Sequence, residues 1–318
     1  MKPVAERIRS FLERSGWVSQ ADRVEFLAAG EYNENYLVVS GGSRYVFRIN
    51  HGSQLGLENQ IEYEFHVLKS VEASGVTPKA FHFDPIPREL DGGVLLMEYI
   101  EGNPFEYRRD GGKAAFVFSR VHALPADKRL VVQSDPVRDI AEESLVLLNR
   151  YGDHPLQGEK ARLLGYHDRV LRMGEETRRL FENETLCLVN TEVNSGNFIV
   201  NGERAWLVDW EKAVVSLRYQ DLGHFLAPTT TLWKTSHTYS KGEKRDFLDR
   251  YSRLLGLEAD LEEIVSKTEI LEKTILLRAL SWCFMAYYEY TRTERTIKNR
   301  DTFEKIKGYL DGIEWLLK

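Results

Sequence analysis

Short apolar runs alternate with polar turns over the first hundred residues. The runs are rich in the β-branched and aromatic residues that favour strands, and Gly41-Gly42-Ser43 between two of them predicts a tight hairpin. The predicted strands are VEFLAAG (24–30), NYLVVSG (35–41), RYVFRIN (44–50), KAFHFD (79–84) and GVLLMEYI (93–100). The first part of the chain is therefore expected to form an antiparallel sheet.

One helix is predicted among these strands, from about Leu57 to Ala73. Its apolar face is expected to carry Ile61, Phe65, Leu68 and Val71. Glu64 falls on the same face at about 100° per residue, and a carboxylate that faces a core without a compensating charge is costly. We expect Arg48 to be the partner of Glu64, and Glu62 on the opposite face of the helix is the alternative partner for Arg48.

From the turn Glu101-Gly102-Asn103-Pro104 onward, apolar residues recur mainly at helical spacing. Helices are predicted at about 112–124, 136–151, 158–182, 219–227, 243–255 and 262–292, followed by a last helix to 318. One β-rich stretch interrupts them, LVNTEVNSGNFIVNGERAWLVDWEK (188–212). The sequence thus predicts an α+β fold, in which residues 1–101 form an antiparallel sheet with one helix and residues 102–318 form a larger, mainly helical lobe.

Composition and charge argue against several classes of protein. The chain of 318 residues is 42% hydrophobic, and its apolar runs are far shorter than the roughly 18 residues of a membrane helix. The N-terminal segment lacks the apolar stretch of a secretory signal, so we expect a cytoplasmic protein without membrane association. The net charge of -6 argues against a nucleic-acid partner, and we interpret the basic segment RTERTIKNR (292–300) as a solvated helix face. Cys187 and Cys283 are expected to be reduced core thiols.

The loop inside the β-rich stretch offers many oxygen ligands. If the two apolar runs around Asn201-Gly202 pair as a hairpin, Asn197 lies near the start of one strand and Asp209 near the end of the other. An amide and a carboxylate at the same end of a hairpin suit Mg²⁺. Glu192 precedes them in the same loop and could accept a proton from an attacking hydroxyl. Asp and Asn are also common turn residues, so an ordinary loop is the alternative.

The same stretch resembles the aminoglycoside phosphotransferase and choline kinase family, whose members are relatives of the protein kinases. The family's catalytic loop reads His-Gly-Asp, four residues, Asn, and precedes an apolar strand that ends Ile-Asp-Trp-Glu. Here Asn190-Thr191-Glu192 stands in place of His-Gly-Asp, Asn197 matches the loop asparagine, and Val208-Asp209-Trp210-Glu211 matches the strand end. The resemblance implies a bilobal protein-kinase-like fold, Mg²⁺ held by Asn197 and Asp209, and Glu192 as the catalytic base.

Further matches concern the nucleotide. By resemblance, Gly30, Asn33 and Asn35 lie in the loop over the phosphates of ATP or GTP, although an ordinary hairpin turn is the alternative for that segment. Arg48, oriented by Glu64, is expected to contact the phosphates. The backbone of the segment between the lobes would meet the base of the nucleotide at Glu98, Tyr99 and Ile100.

Two more matches extend the resemblance to roughly residues 25–227. Asp221 in YQDL would tie the catalytic loop in place, and a helix N-cap is the alternative role for it. His122 in FSRVHAL matches a family histidine, and we interpret it as a buried histidine whose nitrogens are hydrogen bonded.

The catalytic loop departs from the family pattern in two ways. Glutamate adds a methylene group, which moves the carboxylate by about 1 Å, and misplacements of that size cost on the order of a hundredfold in rate. Thr191, with its branched Cβ, does not easily take the positive φ that glycine takes, so we expect this loop to have its own conformation.

The sequence therefore favours an ATP-dependent kinase that phosphorylates a hydroxyl of an aminoglycoside-, choline- or sugar-like small molecule. A regulatory module that binds nucleotide but has lost phosphoryl transfer is the second hypothesis, and a globular protein without either activity is the third. We expect a monomer or a weak homodimer. Residues on the predicted helix 262–292 suit a cationic acceptor through cation–π contact, although at helical spacing they suit a core better. They are Trp282, Phe284, Tyr287, Tyr288, Glu289 and Tyr290.

Overall fold

The computed structural model describes residues 3–30, 32–53, 55–292 and 300–317. Contacts divide the chain into two compact units. The first unit contains Met1–Pro104 and Asn197–Ala213, and the second contains Phe105–Gly196 and Val214–Lys318. The predicted division after residue 101 assigned the stretch 197–213 to the C-terminal part, whereas the contacts group it with the first unit.

The strands and helices follow in chain order. The strands are β1 Arg23–Ala29, β2 Asn33–Ser40, β3 Ser43–Asn50, β4 Ala80–Asp84, β5 Gly93–Glu98, β6 Asn103–Pro104, β7 Cys187–Val189, β8 Phe198–Asn201, β9 Arg204–Leu207 and β10 Val214–Ser216. The helices are α1 Val4–Arg14, α2 Gln60–Val71, α3 Tyr107–His122, α4 Pro136–Asn149, α5 Gln157–Thr177, α6 Tyr219–Leu226, α7 Pro228–Lys234, α8 Lys241–Leu255, α9 Leu261–Arg292, α10 Arg300–Asp311 and α11 Ile313–Leu316.

An antiparallel sheet with strand order β1-β2-β3-β5-β4 forms most of the first unit, as the sequence predicts. Ser40 pairs with Ser43 across a two-residue turn. Gly41 and Gly42 in that turn have φ values of 54° and 80°. Two successive positive φ values match the right-handed twist of a tight hairpin and are the reason that glycines occupy it. The turn sets the register that places Asn35 opposite Arg48.

The core of the first unit lies where α1 packs on the sheet. Apolar side chains from the helix and from the strands bury one another there, among them Ile8, Phe11, Leu12, Val38, Phe47 and Leu96. The helix α2 begins at Gln60, later than predicted, and passes through a 3₁₀ turn into Gly75, which has a φ of 71°. Glycine at this position ends the helix in the left-handed conformation.

The predicted hairpin around Asn201-Gly202 is confirmed. In it, Phe198 pairs with Leu207 and Asn201 pairs with Arg204. The hairpin extends to β6 on one side and is joined to the segment that follows α2 and Gly75 by a hydrogen bond from Leu207 N to Val76 O of 2.9 Å. These hydrogen bonds explain why the hairpin belongs with the first unit.

The second unit is mainly helical and is built around α9, which packs against α4, α5, α6 and α10. The strands β7 and β10 pair antiparallel. Two differences from the sequence prediction stand out. The helix α3 starts at Tyr107 and so includes Gly111 and Gly112, although glycine disfavours helix interiors. The short helix α7 was not predicted.

Three other expectations concern the whole chain. Cys187 and Cys283 are buried free cysteines, as predicted, and burial raises the pKa of the Cys187 thiol to about 12. Across the described ranges, no helix combines the length and the apolar character that a membrane crossing requires. The basic segment 292–300 lies outside the described residues except at its two ends.

Candidate phosphoryl-transfer site

A buried ion pair joins β3 to α2 in the first unit. Arg48 Nη1 lies 2.5 Å from Glu64 Oε1, and 6% and 1% of the two side chains are exposed. Arg48 also donates from Nε to Asn35 Oδ1 at 3.0 Å and from Nη1 to Asp209 Oδ1 at 3.1 Å. The predicted pairing of Arg48 with Glu64 is confirmed. Glu62, the alternative, is half exposed and lies 3.8 Å from His66.

The charges around Arg48 explain its ionisation. Burial disfavours the guanidinium charge, but the carboxylates of Glu64, Asp209 and Glu211 outweigh that effect and raise the pKa of Arg48 above its ordinary value. Burial raises the pKa of the Glu64 carboxyl, and the Arg48 guanidinium opposes that rise. Arg48 is therefore a permanent buried cation whose charge is balanced from two sides.

Asn197 and Asp209 come together at the open end of the hairpin. Val208 N donates to Asn197 O at 2.8 Å, which continues the strand pairing by one step. Trp210 is fully buried and donates from Nε1 to Leu207 O at 2.9 Å, so it anchors the chain directly after Asp209. Asp209 itself has a φ of 65°, and 29% of its side chain is exposed. A positive φ at a non-glycine residue is uncommon and marks a position that its surroundings hold in place.

A buried chain of amides fixes the residue after this tryptophan. Asn33 Nδ2 donates to Glu211 Oε2 at 2.5 Å, and Asn50 Nδ2 donates to Asn33 Oδ1 at 2.7 Å. Gln60 Nε2 donates to Glu211 O at 2.7 Å. The side chain of Asn33, which the resemblance places over the phosphates, is thus buried and hydrogen bonded within the first unit.

The remaining predicted nucleotide residues occupy the ends of strands. Gly30 N donates to Asn33 O at 2.8 Å in the turn between β1 and β2, and Glu31 of that turn lies outside the described residues. Glu98 at the end of β5 donates from its backbone N to Lys79 O at 2.8 Å. The ring of Tyr99 faces the Arg44 guanidinium at 5.0 Å, and Ile100 is half-buried. Their contacts with a nucleotide stay predictions.

In the second unit, β7 leads into the loop Asn190-Thr191-Glu192. Asp221 of α6 is fully buried, and its two carboxylate oxygens accept from Asn190 N and Thr191 N, each at 2.8 Å. Asn190 Oδ1 accepts from Glu192 N at 3.0 Å. Asp221 therefore ties the loop in place, as the resemblance implies, and it does not cap α6, whose N-cap is Arg218.

Thr191 takes a positive φ in spite of its branched Cβ, and a loop conformation that differs from the family's stays a prediction. Thr191 has a φ of 67°, the left-handed conformation that glycine adopts easily. For a residue with a branched Cβ this conformation costs about 1–3 kcal/mol and persists only where the surroundings impose it. Asp221 accepts a hydrogen bond from the Thr191 N–H, and Arg278 of α9 donates from Nη2 to Thr191 O at 2.9 Å.

His122 supports the same carboxylate. Its Nε2 lies 3.3 Å from Asp221 Oδ2 and its Nδ1 lies 2.9 Å from Tyr251 Oη. Burial lowers the pKa of His122, although Asp221 opposes that shift. In the neutral ring, Nε2–H donates to the carboxylate and Nδ1 accepts from the tyrosine hydroxyl. The interpretation of His122 as a buried, hydrogen-bonded histidine is confirmed.

Comparison with known proteins decides the family. Residues 23–263 match the family model of the phosphotransferase enzyme family. This chain belongs to that family. A search of curated protein sequences gave no match.

Solved structures resemble the fold of this phosphotransferase over nearly its whole length. A choline/ethanolamine kinase family protein from Mesorhizobium loti has a TM-score of 0.68 at 18% identity, covering 98% of this chain and 94% of that chain. The ethanolamine kinase of Plasmodium vivax has a TM-score of 0.66 at 14% identity, covering 93% and 82%. Spectinomycin phosphotransferase has a TM-score of 0.61 at 12% identity, covering 98% and 95%. The predicted protein-kinase-like α+β fold is confirmed.

The residues of this phosphotransferase fit a magnesium ion by their chemistry. The ion prefers carboxylate and amide oxygens together with water and phosphate oxygens. Asp209 offers a partly exposed carboxylate, and Asn197 places a half-buried amide at the same end of the hairpin. Glu192 is half-buried in the second unit, and its role as a base stays a prediction.

Sequence reasoning missed two residues, one in each unit, that contact predicted site residues or their neighbours. Glu211 was part of the matched motif but had no assigned role, and its contact with Asn33 joins positions 178 residues apart. Arg278 contacts Thr191 from 87 residues away. A signal for Arg278 was present, because it is a lone cation in the apolar segment ILLRAL, as Glu64 is a lone carboxylate on the apolar face of α2.

Proposed function

We propose that this phosphotransferase uses ATP or GTP, with Mg²⁺, to phosphorylate a hydroxyl group of a small molecule. The observation that carries the proposal is Arg48, a buried cation held between Glu64 and the partly exposed Asp209. A guanidinium fixed in this way presents its remaining N–H groups in a defined direction, as the binding of phosphate oxygens requires.

The names of similar structures support a nucleotide donor. Spectinomycin phosphotransferase was solved with ADP and spectinomycin, and another aminoglycoside phosphotransferase was solved with ADP. ADP is the product that remains when ATP gives up its γ-phosphoryl group. The proposal extends this use of nucleotide to the present chain.

The side chains divide the reaction between them. Arg48 orients the phosphates, and Asn197 with Asp209 would hold Mg²⁺, which neutralises charge on the phosphate oxygens when it is bound. Glu192 accepts the proton of the acceptor hydroxyl while the hydroxyl oxygen bonds to the γ-phosphorus and the bond to the bridging oxygen of ADP breaks. Asp221 and Asn190 fix the backbone of the loop that contains Glu192 by accepting hydrogen bonds from its N–H groups.

The aromatic residues of α9 were candidates for contact with a cationic acceptor. The rings of Phe284 and His154 stack with their centroids 3.6 Å apart, and the rings of Tyr288 and Tyr151 stack with their centroids 4.2 Å apart. Tyr151 Oη donates to Glu289 at 2.9 Å. These contacts support the interpretation of the aromatic residues as part of the helix packing. A cationic acceptor stays a prediction, as do the cytoplasmic location, the monomeric or weakly dimeric state and the absence of a nucleic-acid partner.

A screen for acceptors tests the proposal. The protein is incubated with Mg²⁺ and ATP or GTP and with amino alcohols, sugars and aminoglycosides, and both nucleoside diphosphate release and the mass of the phosphorylated product are measured. We expect one acceptor class to gain a phosphoryl group, and Glu192→Gln to lower its turnover. Nucleotide binding without transfer to any acceptor would support the second hypothesis, the regulatory module. Absence of nucleotide binding would contradict both.

A further inference from the structure

The peptide group between Thr191 and Glu192 is held at both ends. Its N–H belongs to Glu192 and donates to Asn190 Oδ1 at 3.0 Å. Its carbonyl belongs to Thr191 and accepts from Arg278 Nη2 at 2.9 Å. The orientation of this one peptide plane sets where the Glu192 side chain leaves the backbone.

The two contacts differ in kind. Asn190 is a neighbour in the same loop, so its hydrogen bond moves with the loop. Arg278 lies on α9, between Leu277 and Leu280, which are both fully buried. Its hydrogen bond is assisted by the guanidinium charge, which makes it stronger than a bond between neutral groups. Arg278 therefore fixes the loop to an element that is itself fixed by packing.

The helices that hold the turn touch each other closely. Asp221 on α6 binds the N–H groups of Asn190 and Thr191. Near it, Gly223 lies so close to α9 that an added Cβ would meet Glu272 N at 2.6 Å. The carboxylate on α6 and the guanidinium on α9 thus hold the strained turn from two helices in direct backbone contact.

We infer that Arg278 is a positioning residue, which keeps Thr191 in its left-handed conformation and thereby places the Glu192 carboxylate. The family residue that Thr191 replaces by resemblance is glycine, which takes a positive φ without steric cost. Threonine needs an external hold, and Arg278 supplies it at the carbonyl. The consequence for turnover rests on the proposed function, whereas the consequence for the loop does not.

The two residues should therefore depend on each other. Arg278→Met replaces the guanidinium group with an apolar side chain of similar length. The hydrogen-bond donor to Thr191 O is then absent. We expect amide hydrogen exchange at Thr191 and Glu192 to speed up by about tenfold or more, as the loss of a hydrogen bond from a charged group predicts. Adding Thr191→Gly to Arg278→Met should return most of the protection, because glycine holds the turn without strain.

The matched control is Lys273→Met, which removes a cation from an exposed position on the same helix. It should leave exchange at Thr191 and Glu192 unchanged. Equal acceleration in Arg278→Met and Lys273→Met would overturn the inference, and so would a failure of Thr191→Gly to restore protection. If Arg278→Met does not fold, Arg278→Leu with and without Thr191→Gly gives the same comparison, since leucine also lacks a hydrogen-bond donor.

The kinetics of ATP hydrolysis provide a second, independent test of the inference. ATP hydrolysis with Mg²⁺ and water as the acceptor needs no identified substrate. We expect Arg278→Met to lower kcat by about tenfold or more while KM for ATP changes little, the pattern of a displaced base, and Thr191→Gly to restore part of the rate. A change in KM without a change in kcat would overturn the link to Glu192. If the variants show the expected changes in hydrogen exchange but the parent protein shows neither hydrolysis nor transfer, the proposed function fails while the inference about the loop stands.

Discussion

Arg48 shows how single residues determine this site. Its side chain is 6% exposed and contacts Glu64, Asp209 and Asn35. A buried ion pair contributes little net stability when both partners are present, but removal of one partner leaves an uncompensated buried charge. The pair is therefore best explained by what it orients. Removal of one partner should therefore lower the free energy of unfolding by much more than the intact pair contributes to it.

Glu64→Gln should lower the free energy of unfolding by about 3 kcal/mol, because Arg48 loses the partner that balances its charge from α2. Glu62→Gln, on the exposed side of the same helix, is the control and should change it by less than about 0.5 kcal/mol. Urea denaturation followed by tryptophan fluorescence measures both. Similar losses in the two variants would contradict the assignment of Glu64 as the partner.

His122 gives a pH-dependent prediction at the same scale. Burial lowers the pKa of His122 in the folded protein, so below the ordinary value of about 6.5 the unfolded chain takes up a proton that the folded chain does not. The stability that the neutral ring contributes is present above a pH of about 6.5. It is lost as the pH falls from there towards the lower pKa that His122 has in the folded protein. Between pH 7 and 5.5 we expect the parent protein to lose about 1 kcal/mol more stability than His122→Gln. Parallel stability curves for the two proteins over this range would refute the assignment.

At the scale of elements, the hairpin β8–β9 connects sequence to site most directly. Two apolar runs with a glycine turn between them predict their own pairing, and the pairing brings Asn197 beside the chain that enters Asp209. The buried chain of Asn50, Asn33 and Glu211 then fixes this end of the hairpin to β2 and β3. A local pattern and a long-range contact thus cooperate at one strand end.

Asn33→Ala should lower the free energy of unfolding by about 1–3 kcal/mol, because it leaves the buried Glu211 carboxylate and the Asn50 amide without their shared partner. Asn59→Ala removes an exposed asparagine that makes no side-chain cap to α2 and serves as the control. Thermal unfolding monitored by circular dichroism compares the two. An equal effect of both substitutions would show that the buried chain of amides is not important for the hairpin.

These elements show what a sequence can and cannot reveal. Strands β1 to β5, the helix α2 with Glu64, and the hairpin were predictable, because period and turn residues are local signals. The start of α3 was not, since Gly111 and Gly112 disfavour a helix locally, and α3 continues through them where it packs against α8. The φ of Thr191 was not predictable either, because the residues that contact its N–H and its carbonyl, Asp221 and Arg278, lie far along the chain.

At the scale of the whole molecule, the candidate residues divide between the two units. Arg48, Glu64, Asn197 and Asp209 belong to the first unit, and Glu192, Asp221 and Arg278 belong to the second. The chain passes from the second unit to the first directly before Asn197 and returns after Ala213. Binding of nucleotide and metal should therefore depend on residues of the first unit, whereas the chemical step should also depend on the second.

Stabilisation by bound nucleotide tests this division between the units. ATP with Mg²⁺ at a hundred times its dissociation constant adds about 2.7 kcal/mol to stability, which corresponds to a rise in Tm of roughly 5 °C for a chain of this size. Asp209→Asn should remove the magnesium-dependent part of that rise, because the amide keeps the shape of the side chain but loses the charge that Mg²⁺ requires. No rise in the parent protein, with nucleotide and metal both in excess, would contradict the proposed function.

Glu192→Gln is the complementary variant, in the second unit. It should keep the full rise in Tm, since the glutamate is expected to act on the acceptor hydroxyl and not on the nucleotide. Turnover of an identified acceptor should fall by about a hundredfold or more, the signature of an interaction used in the transition state. If Glu192→Gln instead removes the rise in Tm as Asp209→Asn does, Glu192 takes part in binding the metal or nucleotide, and the base must be sought among other residues of the loop.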